Sequence, residues 1–304
     1  MTSRKNPRIE WFFDSLHTQC GGDYSWFTVL VVDFWAEDEG RKVEFASKFR
    51  GPQEKLKHVT PKPTVWQGKH RLTSKDYFAA ANARNTAICL APDGYICFVD
   101  DLSVLMPGWF AAVREATTRD AVTLGCYKKV KELVVEAGTG VVTHYVESGP
   151  GNDHRVPLVA GKPTPCGCSS LWHYGCSLVA PIEAYLRVGG FNENCDGMGY
   201  EDGVTGLAMG RHGVSFVIDT RMMTWESECL HSVGKPMVRM DKGVSPNDKS
   251  HAMMDRFRDA RYFENYFGGE GIRGVRARVL GGEPFPVTQI PEHDWFDGQP
   301  LREM

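Results

Sequence analysis

The stretch PDGYICFVDD, residues 92–101, decides the fold. Its opening Pro-Asp-Gly is a turn signal, and the apolar run from Tyr95 to Val99 predicts a short buried strand. The strand leads without a break into Asp100 and Asp101. Two adjacent carboxylates repel each other unless a cation or hydrogen-bond donors lie between them. Such oxygen ligands suit Mg²⁺ or Mn²⁺, so the stretch predicts a cation site, with a solvated turn as the alternative.

Outward from this stretch, the first part of the chain alternates between strand and helix patterns. An apolar run at 27–32 that ends in Asp33 predicts a buried parallel strand. The other expected elements are helices over 9–16, over 74–89 and from Pro107, and a strand over 121–125. This alternation is typical of a doubly wound parallel α/β sheet. Such sheets bind ligands at the carboxyl ends of their strands, where Asp33 and the aspartate pair both lie, so a nucleotide site is expected there.

The second half of the chain follows a different pattern. Residues 133–137 and 141–146 alternate around a Gly-Thr-Gly turn and predict a hairpin. A loop rich in Pro and Gly follows at 149–167, and residues 214–219 predict a last strand. From Gly234 onward, strand signals fade.

Glu201 and Asp202 follow the glycine-containing stretch 197–200 and are expected at the N-terminus of a helix. There the helix dipole and the free N–H groups favour ionised carboxylates. An ionised carboxylate beside a glycine-lined cleft can act as a general base. The alternative is that both are ordinary acidic residues of a first helical turn.

Two further segments are candidates for ligand contacts. Trp172, His173 and Tyr174 follow one another, and flat rings with polar tips can stack on sugars or bases. A core segment is the alternative for these three residues. His231 comes after the last predicted strand. A lone histidine is more often structural than a ligand, so His231 is a secondary candidate for a ligand contact.

The composition of the 304-residue chain excludes several classes of protein. Its 42% hydrophobic and 24% charged residues are typical of a globular protein. A net charge of −3 carries no signature of polyanion binding over the whole molecule, although Lys128, Lys129 and Lys131 form a small basic run. No run of about 18 apolar residues exists, so no membrane span is expected. The polar N-terminus and the odd number of nine cysteines predict a cytoplasmic protein with reduced thiols.

The order of these motifs resembles family 2 of the GT-A glycosyltransferases. The family's A-R-N, G-E-Y-I-x-F-L-D-D-D and P-x-W patterns are similar to residues 83–85, 92–101 and 107–109. Later in the chain, VGGFNE at 188–193 resembles V-G-G-F-D-E. GMGYED at 197–202 resembles the G-W-G-G-E-D of galactosyl- and N-acetylgalactosaminyltransferases. The resemblance covers roughly residues 2–231.

The resemblance implies a GT-A fold, which is an α/β fold with a Rossmann-like, mostly parallel central sheet flanked by helices. It implies a glycosyltransferase domain over 1–233, with a nucleotide-sugar-binding half over 1–120 and an acceptor-binding half over 121–233. A C-terminal lid loop, helix and extended arm are expected over 234–304. The loop is expected to close over the bound donor and to exclude water.

The resemblance also implies roles for individual residues. Asp33 would face the nucleobase, Arg84 would lie near the base or the diphosphate, and Asp100 would contact the ribose or the metal. The residues expected to bind the nucleotide are Thr2, Arg4, Asp33, Arg84 and Asp100. Asp101 would coordinate Mn²⁺ or Mg²⁺, and His231 would complete the metal shell.

On the acceptor side, the resemblance makes Asp202 the catalytic base, with Glu201 holding the acceptor or the sugar. The residues expected to contact the acceptor are Trp172, His173, Tyr174, Met198 and Tyr200. Met198 and Tyr200 stand where the related block has Trp and Gly, so the acceptor floor should differ from that of the galactosyltransferases.

Two further departures from the family pattern affect the donor side. Leu102 stands where many relatives have a third carboxylate, which weakens the case for strict metal dependence. The family's first strand usually precedes a segment like residues 2–7, so that strand is expected to be missing, or the start codon to have been assigned late.

The sequence therefore predicts a glycosyltransferase that moves a sugar from a nucleoside diphosphate sugar, with UDP-sugars favoured, to an acceptor hydroxyl with inversion. The acceptor could be a glycan, a small molecule or a nucleic-acid base, and the oligomeric state is not indicated. One alternative is an enzyme that glycosylates a hydroxylated base in DNA or RNA, for which the lysine run could contact phosphates. The other is a catalytically silent nucleotide-sugar-binding module, which Leu102 permits.

Overall fold

The computed structural model describes residues 1–71, 76–196, 199–231 and 270–287. These residues form two compact units, each built from separated stretches of the chain. The first unit consists of 1–60, 95–181 and 214–231, and the second of the described parts of 61–94, 182–213 and 270–287. Strands from both sides of residue 120 pair within the sheet of the first unit, and the expected nucleotide-sugar-binding and acceptor-binding halves stay a prediction.

The described helices and strands have the following bounds. The helices are α1 (Ile9–Cys20), α2 (Glu39–Lys48), α3 (Ala80–Leu90), α4 (Trp109–Ala116), α5 (Arg155–Val159), α6 (Ile182–Arg187), α7 (Glu201–Arg211), α8 (Glu228–His231) and α9 (Gly271–Leu280). The strands are β1 (Val29–Val32), β2 (Leu56–Val59), β3 (Tyr95–Val99), β4 (Ser103–Leu105), β5 (Val122–Val135), β6 (Val142–Asn152), β7 (Cys166–Gly167), β8 (Ser177–Pro181) and β9 (Phe216–Ser227). Short 3₁₀ turns lie at Gln53–Lys55, Gly68–His70, Ser170–Trp172 and Glu193–Cys195.

The main sheet belongs to the first unit. In it, β3, β8, β5, β9 and β4 lie side by side in that order, β6 pairs with β5, and β7 pairs with β9. The β5–β9 pairing is parallel, and the other described pairings of this sheet are antiparallel. The α/β class with a central sheet and flanking helices is confirmed. The expected mostly parallel pairing is wrong for this sheet, because β8 enters antiparallel between β3 and β5.

The core of the first unit forms where α1, α2 and α4 pack on the sheet. Phe13 of α1 and Phe45 of α2 are fully buried, and their rings meet edge to face with centroids 6.4 Å apart. Val179 of β8 and Met222 of β9 belong to the same apolar cluster. The apolar face of α1 has the helical spacing that the sequence predicts, and burying it fixes α1 on the sheet.

The first two residues of the chain connect two sheets. Thr2 forms a parallel bridge with Asp33, and its N–H donates to the carbonyl of Val32 at 2.9 Å. The amino group of Met1 lies 3.4 Å from the carbonyl oxygen of Val99, at the end of β3. Because β1 pairs in parallel with β2 as a separate two-stranded sheet, these residues link the end of that sheet to the end of β3.

Helix α3 is the most enclosed element of the second unit, since its residues 80–89 are all buried. Arg276 of α9 donates to the carbonyls of Ile88 and Ala91 at 3.2 and 2.8 Å. The side-chain amide of Asn85 donates to the carbonyl of Phe191 at 2.9 Å and accepts from its N–H at 2.8 Å. These contacts hold α3 on several sides, so the side chains that it carries have a fixed base.

Gly190 gives a direct test of this packing. Its φ is +85°, and a Cβ there would lie 2.5 Å from Asn85 Oδ1 and 2.7 Å from Ile272 Cδ1. We expect Gly190→Ala to lower the free energy of unfolding, measured with denaturant, by more than the roughly 1 kcal/mol that left-handed backbone alone costs. Gly213→Ala is the matched control, because Gly213 has φ +74° and open space around it. Equal losses for the two variants would contradict the close approach at Gly190.

Other predictions can be compared with the described elements. The hairpin expected over 133–146 is confirmed by the antiparallel pairing of β5 with β6. The helix expected over 74–89 begins at Ala80. No helix in the described part of the chain is long and apolar enough to cross a membrane. The expected lid loop and most of the C-terminal extension lie outside the described residues.

Candidate functional site

Three carboxylates of the first unit gather near the ends of β3 and β9, and they are called the acidic cluster: Asp100, Asp101 and Glu226. Asp100 and Asp101 follow β3 directly. Glu226 lies near the end of β9, in register with Ser103 of β4. Both aspartates act electrostatically on Glu226. Three carboxyl groups therefore share one region at the end of the strand that the sequence marked.

The N-terminal segment holds Asp101. Thr2 Oγ1 donates to its carboxylate at 2.7 Å, and Arg4 Nε donates to it at 3.1 Å. Arg4 also donates to the carbonyl of Leu230 in α8 at 3.2 Å. Burial raises the pKa of Asp101, and the positive charge of Arg4 opposes that rise. Thr2 and Arg4 thus orient Asp101, and their expected contact with a nucleotide stays a prediction.

Glu226 is the member of the cluster that sequence reasoning missed. It is only 4% exposed, and its Oε1 accepts no hydrogen bond from any described residue. Lys129 Nζ lies 3.9 Å from the other oxygen, and Ser103 Oγ, on the facing strand, is likewise buried without a hydrogen bond among the described residues. Burial raises the pKa of Glu226, and the charge of Asp100 adds to the rise. A buried carboxylate oxygen without a partner is costly, and a bound cation would satisfy it.

The chemistry of the acidic cluster fits a divalent cation. Carboxylate oxygens are the ligands that Mg²⁺ and Mn²⁺ prefer. Leu102, where related sequences carry a carboxylate, is 2% exposed and belongs to the core. Among the described side chains, no three His, Cys, Asp or Glu groups already surround a common point.

The carboxylate of Asp33 forms hydrogen bonds with other residues of the first unit. Its side chain is fully buried and accepts from Arg41 Nε at 2.8 Å and from the N–H of Trp35 at 3.1 Å, and His58 Nε2 lies 2.9 Å from it. Burial acts to raise the pKa of Asp33, but the hydrogen bonds with His58 and Arg41 outweigh it, and the pKa is lowered. A contact with a nucleobase would have to replace one of these bonds, and that expected role stays a prediction.

In the second unit, Glu201 and Asp202 open α7, as the sequence predicts. Arg84 of α3 lies between them, with its Nη1 2.7 Å from Glu201 Oε1 and 3.0 Å from Asp202 Oδ1. Tyr200, which precedes the helix, has φ +72°, and this left-handed position is where the related block has Gly. The contact of Arg84 with two carboxylates was not expected, and a contact with the donor stays a prediction for this residue.

A buried polar network supports α3 behind these groups. Asp196 accepts from the N–H groups of Ala81 and Asn82 at 2.7 and 3.0 Å, at the N-terminus of the helix, where the dipole favours a negative charge. Lys62 Nζ donates to Glu193 Oε2 at 2.8 Å, and both side chains are 1% exposed. No sequence motif indicated these partners, because the two residues of each contact are far apart in the chain.

The aromatic segment of the first unit packs around a buried ion pair. Arg155 and Asp153 are bonded with a shortest distance of 2.6 Å, and both side chains are fully buried. Arg155 also donates to the carbonyl of Trp172 at 2.6 Å and lies 4.4 Å from the ring centre of Tyr174. His173 is fully buried, so an acceptor could not reach it in this arrangement, because the core encloses its ring. The alternative of a core segment fits His173, while Trp172 and Tyr174 are half-buried.

Two expected site residues, His231 and Met198, lie partly or wholly outside the described part of the chain. The backbone of His231 ends α8, but its side chain lies outside the described part of the chain. Met198 also lies outside the described residues. Their metal-binding and acceptor-binding roles stay predictions.

No protein-family model matches this sequence, and no curated protein matches it. The structure is similar to that of GalNAc-T7 with UDP, GalNAc and Mn²⁺, at 11% identity and a TM-score of 0.46 over 76% of this chain and 44% of the other. It is similar to the mannosyltransferase PcManGT from Pyrobaculum calidifontis in complex with GDP-Man and Mn²⁺, at 18% identity and a TM-score of 0.46 over 77% of this chain and 56% of the other. It is also similar to S. aureus TarS 1–349, at 14% identity and a TM-score of 0.48 over 88% of this chain and 72% of the other.

This chain spans about half the length of the first two of these structures. With TM-scores below 0.5, the likenesses carry no conclusion about the donor, the metal or the acceptor of this chain. What it binds has to be argued from its own residues.

Proposed function

We propose that this chain is a GT-A glycosyltransferase that moves a sugar from a nucleoside diphosphate sugar, with UDP-sugars favoured, to an acceptor hydroxyl. The observation that carries the proposal is the acidic cluster, in which a buried oxygen of Glu226 accepts no hydrogen bond from the described residues and Asp100 and Asp101 act electrostatically on the same carboxyl group. Carboxylates at the end of a strand suit Mn²⁺ or Mg²⁺, and these ions usually bind substrate phosphates.

On the donor side, Asp100, Asp101 and Glu226 would hold the cation. When bound, the cation would neutralise the negative charge that develops on the leaving diphosphate. Thr2 and Arg4 orient Asp101 for this role through their hydrogen bonds to its carboxylate. His231 remains a candidate for a further ligand.

On the acceptor side, Asp202 is the proposed general base. Its side chain is 20% exposed, twice as much as the 10% of Glu201, so a hydroxyl can reach it more readily. Asp202 would take the proton of the acceptor hydroxyl as the oxygen attacks the anomeric carbon. Attack on the side opposite the diphosphate inverts the configuration at that carbon.

The structure does not favour a nucleic-acid acceptor. Lys128 Nζ pairs with Glu147 at 2.7 Å and lies over the rings of Tyr145 and Trp225, 4.7 and 4.5 Å from their centres. This part of the lysine run is already satisfied within the protein. The acceptor proposed here is therefore the hydroxyl of a glycan or a small molecule. A cytoplasmic location is part of the same proposal and fits nine cysteines that are all free thiols.

The test is a screen of nucleotide sugars with Mn²⁺, Mg²⁺ or chelator, followed by mass spectrometry of candidate acceptors. We expect one nucleotide sugar to be consumed in a metal-dependent way and one acceptor to gain a single sugar. Donor binding by calorimetry with no hydrolysis or transfer would identify a silent binding module instead. Absence of both binding and turnover for every donor would refute the proposed function.

A further inference from the structure

We infer that Arg84 and Glu201 are positioning residues that set the proton affinity of Asp202 from opposite directions. The inference rests on the proposed function, in which Asp202 is the base. One nitrogen of the guanidinium group, Arg84 Nη1, lies 2.7 Å from Glu201 Oε1 and 3.0 Å from Asp202 Oδ1. One cation therefore faces two carboxylates, and each carboxylate competes for it.

Burial makes this competition strong. The side chains of Arg84 and Glu201 are 4% and 10% exposed, so water screens their charges poorly. Burial raises the pKa of Glu201, the charge of Asp202 adds to the rise, and Arg84 opposes it. The three groups consequently behave as one electrostatic unit in which a proton on one changes the affinity of the others.

The guanidinium is also held in place. Its carbon lies 5.2 Å from the ring centre of Phe191, which is fully buried. Asp196 accepts hydrogen bonds from the N–H groups of Ala81 and Asn82 in the first turn of α3, three and two residues before Arg84. Because the helix is held at this end, Arg84 has little freedom to follow one carboxylate and abandon the other.

This arrangement has a consequence for each step of proton transfer. While Asp202 is ionised, the guanidinium of Arg84 stabilises the negative charges of both Asp202 and Glu201. Once Asp202 accepts the proton, Arg84 still has a charged partner in Glu201, so no buried charge is left uncompensated. Removing the charge of Glu201 would remove a competitor for Arg84 and a negative neighbour of Asp202, and both changes would make Asp202 a weaker base. Removing the charge of Arg84 would leave two facing carboxylates, one of which would hold its proton more tightly.

Other titratable groups face the same place from the segment before α7. The charge of Glu201 raises the pKa of both Asp196 and Cys195, and the charge of Asp202 also raises the pKa of Cys195. Burial raises the pKa of Cys195 well above its usual value, so the thiol is neutral at neutral pH. Both groups are left unchanged in the variants below, so they cannot produce shifts of opposite sign.

The experiment follows the carboxyl ¹³C signal of Asp202, assigned with Asp202→Asn, as a function of pH in nucleotide-free protein. Arg84→Gln should raise the apparent pKa of Asp202 by about one unit or more, and Glu201→Gln should lower it. Arg84→Lys keeps the charge and should stay near the wild type, and the double variant Arg84→Gln/Glu201→Gln should fall between the two single variants. Arg273→Gln is the control, since Arg273 pairs with the exposed Glu183 and should cause no shift.

The same variants give a second, kinetic measurement. The acid limb of the kcat–pH profile should move to higher pH in Arg84→Gln and to lower pH in Glu201→Gln. Shifts in the same direction, or no shift of the Asp202 signal, would overturn the inference. If Arg84→Gln does not fold, the double variant decides it, because its Asp202 pKa should lie above that of Glu201→Gln. Opposite shifts of the signal in a protein that transfers no sugar would support the electrostatic inference while refuting the proposed function.

Discussion

Replacing Asp202 with Asn should lower kcat about a hundred- to ten-thousand-fold, which is the usual contribution of a general base. The amide keeps the shape of the side chain, but it carries no charge to pair with Arg84 and cannot take up a proton. Donor Kd should barely change, because the proposed cation ligands Asp100, Asp101 and Glu226 are in the first unit and are untouched. The measurement is kcat under saturating donor and acceptor, together with donor Kd by calorimetry.

Asp93→Asn is the matched control for this substitution. Asp93 lies in the same unit, and its side chain is 94% exposed, so the same chemical change there should leave kcat near the wild-type value. If Asp202→Asn retains near-normal kcat, Asp202 is only a residue of the first helical turn, where Asn is tolerated. A product with retained anomeric configuration would likewise rule out the inverting mechanism.

The second large effect is expected for Asp101→Asn. Removing one carboxylate of the acidic cluster should weaken the part of donor affinity that depends on Mn²⁺ by at least about ten- to a hundred-fold, the loss that even outer-shell changes cause at metal sites. The Asn oxygen can still accept from Thr2 and Arg4, so the fold around it should persist. Calorimetry of UDP-sugar binding with Mn²⁺ and with chelator separates the metal-dependent part.

Asp23→Asn serves as the control for Asp101→Asn, because Asp23 is an exposed aspartate of the same unit. It should bind donor and Mn²⁺ as the wild type does. Equal UDP-sugar affinity with Mn²⁺ and with chelator, for wild type and Asp101→Asn alike, would show that the acidic cluster binds no catalytic cation.

Local pattern was enough to place several features of this molecule. The strand that ends at Asp100, the hairpin of β5 and β6, and the helix opened by Glu201 each depend on a few neighbouring residues, whose turn signals and periodicity carry the information. The antiparallel entry of β8 between β3 and β5 could not be read in this way, because strand order and direction depend on pairing between distant segments.

The same distinction separates the predicted from the unpredicted site residues. Asp101 and Asp202 lie in recognisable motifs, whereas the Arg84 contact with Glu201 joins residues 117 positions apart. Glu226 belongs to no motif, and only its place near the end of the last strand, beside β4, could have suggested it. Asp33 was expected to face a ligand, but His58 and Arg41, which sequence reasoning did not connect with it, bind its carboxylate.

The position of Met1 has a practical consequence for anyone who prepares this protein. Its amino group lies at the end of β3, and its positive charge acts on Asp101. A purification tag fused ahead of Met1 would convert that ammonium into a neutral amide and would place extra chain beside the proposed cation ligands. Metal affinities measured on tagged and on tag-free protein would then describe two electrostatically different sites, so the location of the tag belongs among the variables of every binding experiment.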